Sequence, residues 1–194
     1  MIAGSTWVCV LTVAVLAVQP RTEKGTMAKP STTCVEMIRA LVEGRLDGWR
    51  GLPGGCTKED AEMAAGPSER GPDGVALLGG SPAGFRRYPP TVASPYGVQV
   101  WLRDDLIQAI EINSPRLPRP FTAQLGEPEA KERSGLGSMQ TQWVYASRGL
   151  VLHVQKMSNE VTRIYGFSPC SIDDFRKLPW GRLESRRVPL QRDE

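Results

Sequence analysis

Side chains able to carry acid–base, nucleophilic or metal chemistry are sparse in this chain of 194 residues, and their spacing argues against catalysis. There is one histidine, His153, so a Ser/His/Asp or Cys/His engine would have to be built on it alone, and an imidazole-based zinc site would lack partners. Leu150, Leu152 and Val154 alternate along a strand, which leaves His153 on the opposite face with Val151 and Gln155. That placement predicts a partly exposed strand histidine without catalytic duty. The four cysteines, Cys9, Cys34, Cys56 and Cys170, include no CxxC pair, so no structural zinc site is expected. The acidic pair Asp104-Asp105 suits a hairpin turn, where Asp tolerates the backbone angles, and Asp173-Asp174 suits the first turn of a helix. No GxSxG, HExxH, GxxxxGK[ST] or strand-following GxGxxG stands in the chain. The reading is a protein that is not an enzyme and needs neither cofactor nor metal.

Binding is the chemistry the aromatics suggest. Trp101, Trp143, Tyr145, Tyr96 and Tyr165 cluster on or beside the strand-like segments, and the lone His153 falls among them. Trp101 lies opposite the aliphatic positions Val98, Val100 and Leu102, so if the aliphatic face packs on helices, an aromatic sheet face is left to engage a partner. The competing reading is that loops or the other half of the chain cover these rings. A net charge of +3, spread along the chain, disfavours nucleic acid as the partner and favours another protein.

The segments that must position these residues repeat. Gly97 to Leu102, a turn at Arg103-Asp104-Asp105 and Leu106 to Ile112 close on Ser114-Pro115. Gly149 to Val154, a turn around Ser158-Asn159-Glu160 and Val161 to Phe167 close on Ser168-Pro169. Pro115 lies 18 positions beyond Gly97 and Pro169 lies 20 beyond Gly149, so the copies differ by a two-residue turn insertion. Such duplications are commonly fused supersecondary units. Ahead of the hairpins, Val35, Ile38, Leu41, Val42 and Leu46 form a helical stripe within 33–50, with Thr33 and Glu36 at capping-box spacing. Thr57 and Asp60 open a second helix, Lys58 to Ala65, which Gly66-Pro67 ends. Strands are expected at Val75 to Leu78, Phe85 to Tyr88 and Gln140 to Ala146, and a polar flexible stretch at 127–139. Short helices are expected near Phe121 to Leu125 and at Ile172 to Leu178. Gly and Pro supply 20 and 16 residues, which calls for long loops, and the prolines of 113–120 make a connector between the copies.

The fold class is therefore α+β: an antiparallel sheet from two helix-hairpin repeats, about 51–115 and 121–169, with short helices packed on one face. These repeats form one domain at 27–180, followed by a charged tail at 181–194. Residues 1–26 are either a signal-like apolar segment, with Trp7 to Val18 too short to span a membrane, or an extension ahead of a start at Met27. Export predicts a secreted or periplasmic protein without an integral membrane span. It leaves Cys34, Cys56 and Cys170, of which Cys56 and Cys170 could bridge the two ends of the body. A start at Met27 predicts three reduced thiols and a cytoplasmic small-molecule-binding, immunity or regulatory protein.

The unit resembles that of the small outer-membrane assembly lipoproteins of the SmpA/BamE type and of the secreted β-lactamase inhibitor protein. The residues that carry the resemblance are Leu125-Gly126-Glu127-Pro128 after a short helix and the aromatic strand Trp143-Val144-Tyr145, with Ala65-Gly66-Pro67 as the first copy's counterpart. The resemblance spans roughly Gly51 to Pro169. It implies helix pairs on one antiparallel sheet with a concave face left for a protein partner. The chain lacks the lipoproteins' acylation box and the inhibitor's paired disulfides, so no particular target enzyme is implied.

Overall fold

In the computed structural model, which describes residues 31–69, 74–78, 81–115, 117 and 122–181, the chain folds as α+β around one antiparallel sheet of eight strands. The strands are β1 (Gly74–Leu78), β2 (Ser81–Tyr88), β3 (Val98–Arg103), β4 (Leu106–Asn113), β5 (Ala130–Arg133), β6 (Gln140–Tyr145), β7 (Leu150–Gln155) and β8 (Val161–Phe167). Their order across the sheet is β1-β2-β3-β4-β8-β7-β6-β5. Each half of the chain thus forms a four-stranded meander, and the two meanders join where β4 pairs with β8.

The helices are α1 (Thr32–Val42), α2 (Lys58–Ala65), α3 (Thr122–Leu125) and α4 (Ile172–Phe175). The stripe of α1 buries Val35, Ile38, Leu41 and Val42, but the helix ends eight residues earlier than the periodicity suggests. Glu43 caps it and Gly44 turns left-handed at φ +73°, yet Leu46, Trp49 and Leu52 stay fully buried as the chain continues over the sheet. Apolar spacing here reports burial and not helix. The cap is also different: Ser31 accepts from the Cys34 N–H, in place of the Thr33/Glu36 box. The second helix keeps both its bounds and its Thr57/Asp60 capping box. Strand β5, inside the stretch read as flexible, pairs with β6 through Ala130 to Arg133, a polar edge that carries no apolar alternation.

Both faces of the sheet are covered over β7, which is buried at five of its six positions. On the first face α1, α2 and the 46–52 segment pack over Val98, Val100, Leu102, Ile110, Ile112, Leu150, Leu152 and Ile164. Gly166 makes this contact possible, since a Cβ there would collide with Leu41 and the Trp49 ring. On the second face Phe167 stacks on Phe175 of α4 at 5.5 Å and meets Trp180 at 5.6 Å, above Ala109, Val144 and Val151. Helices therefore do not sit on one face alone, and the terminal helix closes one end of the face expected to be open.

The two inner hairpins share details beyond their order. Each has a register slip, between Trp101 and Leu102 in one and between His153 and Val154 in the other, which leaves Gln108 and Thr162 without a partner in those pairings. Trp101 and His153 are each the fourth residue after the opening glycine, and Glu111 and Tyr165 each the third after the bulge. Glu111 and Tyr165 are also direct cross-strand partners where the meanders meet. The shorter turn is Asp104-Asp105, with φ of +52° and +62°, the geometry of a tight two-residue hairpin.

Among the described residues no helix is long and apolar enough to cross a membrane. The Trp7 to Val18 segment, the start at Met27 and most of the 181–194 tail lie outside the described residues.

Candidate functional site

Strand pleating splits the aromatic residues between two faces. Trp143 and Tyr145 belong to the helix-covered side, where Tyr145 is buried and Lys131 lies 4.6 Å over the Trp143 ring. The Tyr145 hydroxyl donates to the Gly126 carbonyl, and burial first, then Glu127, pushes its ionisation up to about 12. Trp101 and His153 stand on the second face, and Tyr96 projects from the loop before β3, 74% exposed. The five do not make one aromatic face, because Trp143 and Tyr145 pack in the helix-covered layer and Trp101 in the layer on the other side of the sheet.

What the second face does hold is a chain of polar contacts centred on the junction of the two meanders. Trp101 donates its indole N–H to Glu111 Oε2 at 2.8 Å. Glu111, only 5% exposed, faces Arg163 across an ion pair with Oε1 3.3 Å from Nε. Arg163 in turn donates from Nη1 to the Tyr165 hydroxyl at 3.2 Å, and Tyr165 is the cross-strand neighbour of Glu111. Burial, then Glu111, raises the Tyr165 ionisation well above its ordinary value, so the phenol stays a neutral donor. A buried carboxylate is tolerable only when its lone pairs are filled in this way. Arg163 is the member that reaches solvent, with about a third of its side chain exposed. Half-buried Gln99 and Asn113 flank this strip, and exposed Arg87 lies over the Phe85 ring at 5.4 Å.

His153 is fully buried, not partly exposed, because the 134–136 segment folds over it. Its Nδ1 lies 2.8 Å from Ser134 Oγ, which accepts from the Leu136 N–H. Its ring meets Tyr165 edge-on at 5.8 Å. A Ser–His contact of this length is what an activated nucleophile requires. Here Ser134 is itself 3% exposed, and burial, with Arg163 adding to it, pushes the imidazole down to about 3. So weak a base cannot hold a serine proton, and substrate cannot reach the hydroxyl.

The same imidazole makes stability depend on acidity. The unfolded chain's histidine takes a proton below about pH 6.5, whereas the folded one refuses it until about pH 3. Stability is therefore full above 6.5 and falls as pH drops, by about 2 kcal/mol at about pH 5. Urea midpoints at neutral and mildly acid pH should differ in the wild type and differ much less in His153→Gln; equal acid sensitivity in both would refute the assignment.

The disulfide joins Cys34 to Cys56, Cα atoms 5.6 Å apart, and Cys170 is a half-buried free thiol. The proposed Cys56–Cys170 bridge is thus corrected. Cys56 belongs to the helix-covered layer and Cys170 to the layer beneath α4, so the sheet stands between them. Asp60 lies within 4.8 Å of the two sulfurs, a triad with metal-ligand composition. Its oxygens instead accept from the Ser31 and Thr57 N–H groups at 2.7 Å each, and the sulfurs are bonded to each other, so the cluster is a staple at two helix starts.

Neither a family model nor a curated protein matches the sequence. A solved structure is distantly similar. It is the crystal structure of a DUF4309 family protein, YjgB, from Bacillus subtilis subsp. subtilis strain 168, at 16% identity and a TM-score of 0.42, covering 71% of this chain and 99% of that one. At that level the likeness bears on no residue of the site.

Sequence reasoning missed Glu111 and Arg163, and it placed Tyr165 among the strand aromatics without its charged neighbours. Glu111 and Arg163 are charged residues in the middle of otherwise apolar strands, and that anomaly was the available signal. It also missed Arg148, whose guanidinium bonds the carbonyls of Leu46, Trp49 and Leu125 and ties the helix layer to the sheet.

Proposed function

We propose that this is a non-enzymatic, exported binding protein that engages a partner protein through the open part of the second sheet face. The observation that carries the reading is Arg163, a guanidinium fixed by Glu111 and Tyr165 at the centre of a sheet face and still one-third exposed. Holding a long cationic side chain in one geometry costs rotamer entropy in advance, and that entropy need not be lost again on binding. Arg, Trp and Tyr in such settings are the residues that most often dominate interfaces.

Export is supported by the Cys34–Cys56 disulfide, since such bonds persist mainly in oxidising compartments. The non-enzymatic reading is supported by the weak, enclosed imidazole. The palindromic strand order, the matched register slips and the Glu111–Tyr165 pairing support a duplicated helix-hairpin unit with a pseudo-twofold axis through that pair. This is the arrangement that the resemblance to the SmpA/BamE and inhibitor-protein units implies.

A photo-crosslinking residue at Gln99 tests the face against one at Met63, which is exposed on α2 on the other side of the molecule. With the secreted or envelope proteins of the source cell, the Gln99 probe should give a discrete adduct that the Met63 probe does not. Matching adduct patterns, or none at Gln99, would sink the sheet-face reading.

A further inference from the structure

We infer that the partner presents an acidic, extended segment that lies across strands β2, β3, β4 and β8, with one carboxylate on Arg163 and another on Arg87. This rests on the sheet-face reading above and names the chemistry of its ligand.

The argument starts from the unused donors. Arg163 spends Nε on Glu111 and Nη1 on Tyr165, and among the described residues nothing takes its Nη2. Arg87 contacts the Phe85 ring and has no carboxylate partner among the described residues. The carboxylate beneath the strip, Glu111, has Trp101 on one oxygen and Arg163 on the other, so its single charge is already matched and cannot quench a second cation. The strip therefore carries an excess of positive charge and an excess of guanidinium donors. A forked guanidinium with a free edge matches a carboxylate better than it matches a neutral amide.

Spacing then constrains the ligand. Arg87 pairs with Gln99, Gln99 with Glu111 and Glu111 with Tyr165, two positions beyond Arg163, so Arg87 and Arg163 lie on strands three steps apart. At ~4.8 Å per step across and ~3.4 Å per residue along the strand the gap is roughly 16 Å, which an extended peptide at ~3.4 Å per residue covers in about four to five residues. Gln99 beside Arg87 and Asn113 beside Arg163 offer amides to the peptide backbone between the two anchors. A second copy of this chain would bring the same cationic strip and is not the matching occupant.

The test uses the full chain with 15N-labelled arginine and a synthetic peptide of alternating Thr and Val carrying Glu at two positions about four to five residues apart, the separation set by the strand spacing. Titration should move the Nε–H signals of Arg87 and Arg163 together and saturably. Replacing either Glu by Gln should weaken binding about tenfold, as loss of one charge-assisted contact does. Arg87→Gln should do the same from the protein side without touching the buried network, and rising salt should weaken the complex. If the all-Gln peptide moves the same signals with equal affinity, the acidic-segment inference is wrong while the sheet-face reading survives. If glutarate binds as tightly as the peptide, a small dicarboxylate and not a protein segment is the ligand, and the inference is overturned. If the peptide moves only the Arg39 signal on α1, on the opposite side of the sheet, both readings fall.

Discussion

Reducing the Cys34–Cys56 bond lowers the thermal midpoint by roughly 10 °C, while replacing Cys170 by Ser leaves it almost unchanged. The bond closes a loop with a sequence separation of 22. Loop-closure entropy of that size contributes about 3 kcal/mol by restricting the unfolded chain. For a domain of this length each kcal/mol moves the midpoint by about 2–4 °C. The native state adds to the effect, because the bond fixes the first turn of α1 beside the start of α2, where Asp60 accepts from both Ser31 and Thr57. Cys170 has no such role: it is half-buried beneath α4, where burial and then Asp174 and Glu129 raise its thiol ionisation. Calorimetry of the oxidised protein, of Cys34→Ser/Cys56→Ser and of Cys170→Ser separates the cases. Intact mass after alkylation counts free thiols, with one expected in the described body. A midpoint that moves with Cys170 and not with Cys34 and Cys56 would disprove the pairing.

The cysteines also show where the sequence stops being informative. Pairing depends on which layer each residue joins, and layers are set by packing across the whole sheet. By contrast, local rules placed α2, β3 and β8 because their signals are local: a capping box, an alternation and a bounded β-branched run. The α1 stripe failed past Val42 because Leu46, Trp49 and Leu52 reach the core from irregular backbone held by Arg148. Strand β5 was invisible because an edge strand in a polar stretch owes its conformation to β6. The aromatic face failed for a simpler reason. Trp101 and Trp143 lie on different strands, and parity along one strand says nothing about parity on another until the register is known. The proposed site is half legible: Trp101 and His153 belong to its surroundings, but the charges at its centre stand in the alternation as unexplained interruptions.

Replacing Glu111 by Ala should cost about 3 kcal/mol, the largest effect of any single polar substitution in the strip. The change leaves the buried Trp101 N–H without an acceptor and Arg163 without a countercharge. An unsatisfied buried donor costs about 1–3 kcal/mol. Breaking a buried ion pair from one side costs about 3–5 kcal/mol when the remaining charge stays enclosed. Arg163 is one-third exposed and can turn toward water, which places the total at the lower end. Glu111→Gln keeps an acceptor for Trp101 and should cost less than half as much. Chemical denaturation of Glu111→Ala, Arg163→Ala and the double variant gives the coupling directly. The double variant should be more stable than the two single losses added together predict, because each single change strands the other's partner. Additive losses would mean that the two residues do not depend on each other. The same pair then links stability to binding: in Glu111→Gln the fold persists but the guanidinium loses its charged tether, so the acidic peptide should bind Arg87 normally and Arg163 weakly. Full peptide affinity in that variant would show that Glu111 stabilises the sheet without positioning the arginine.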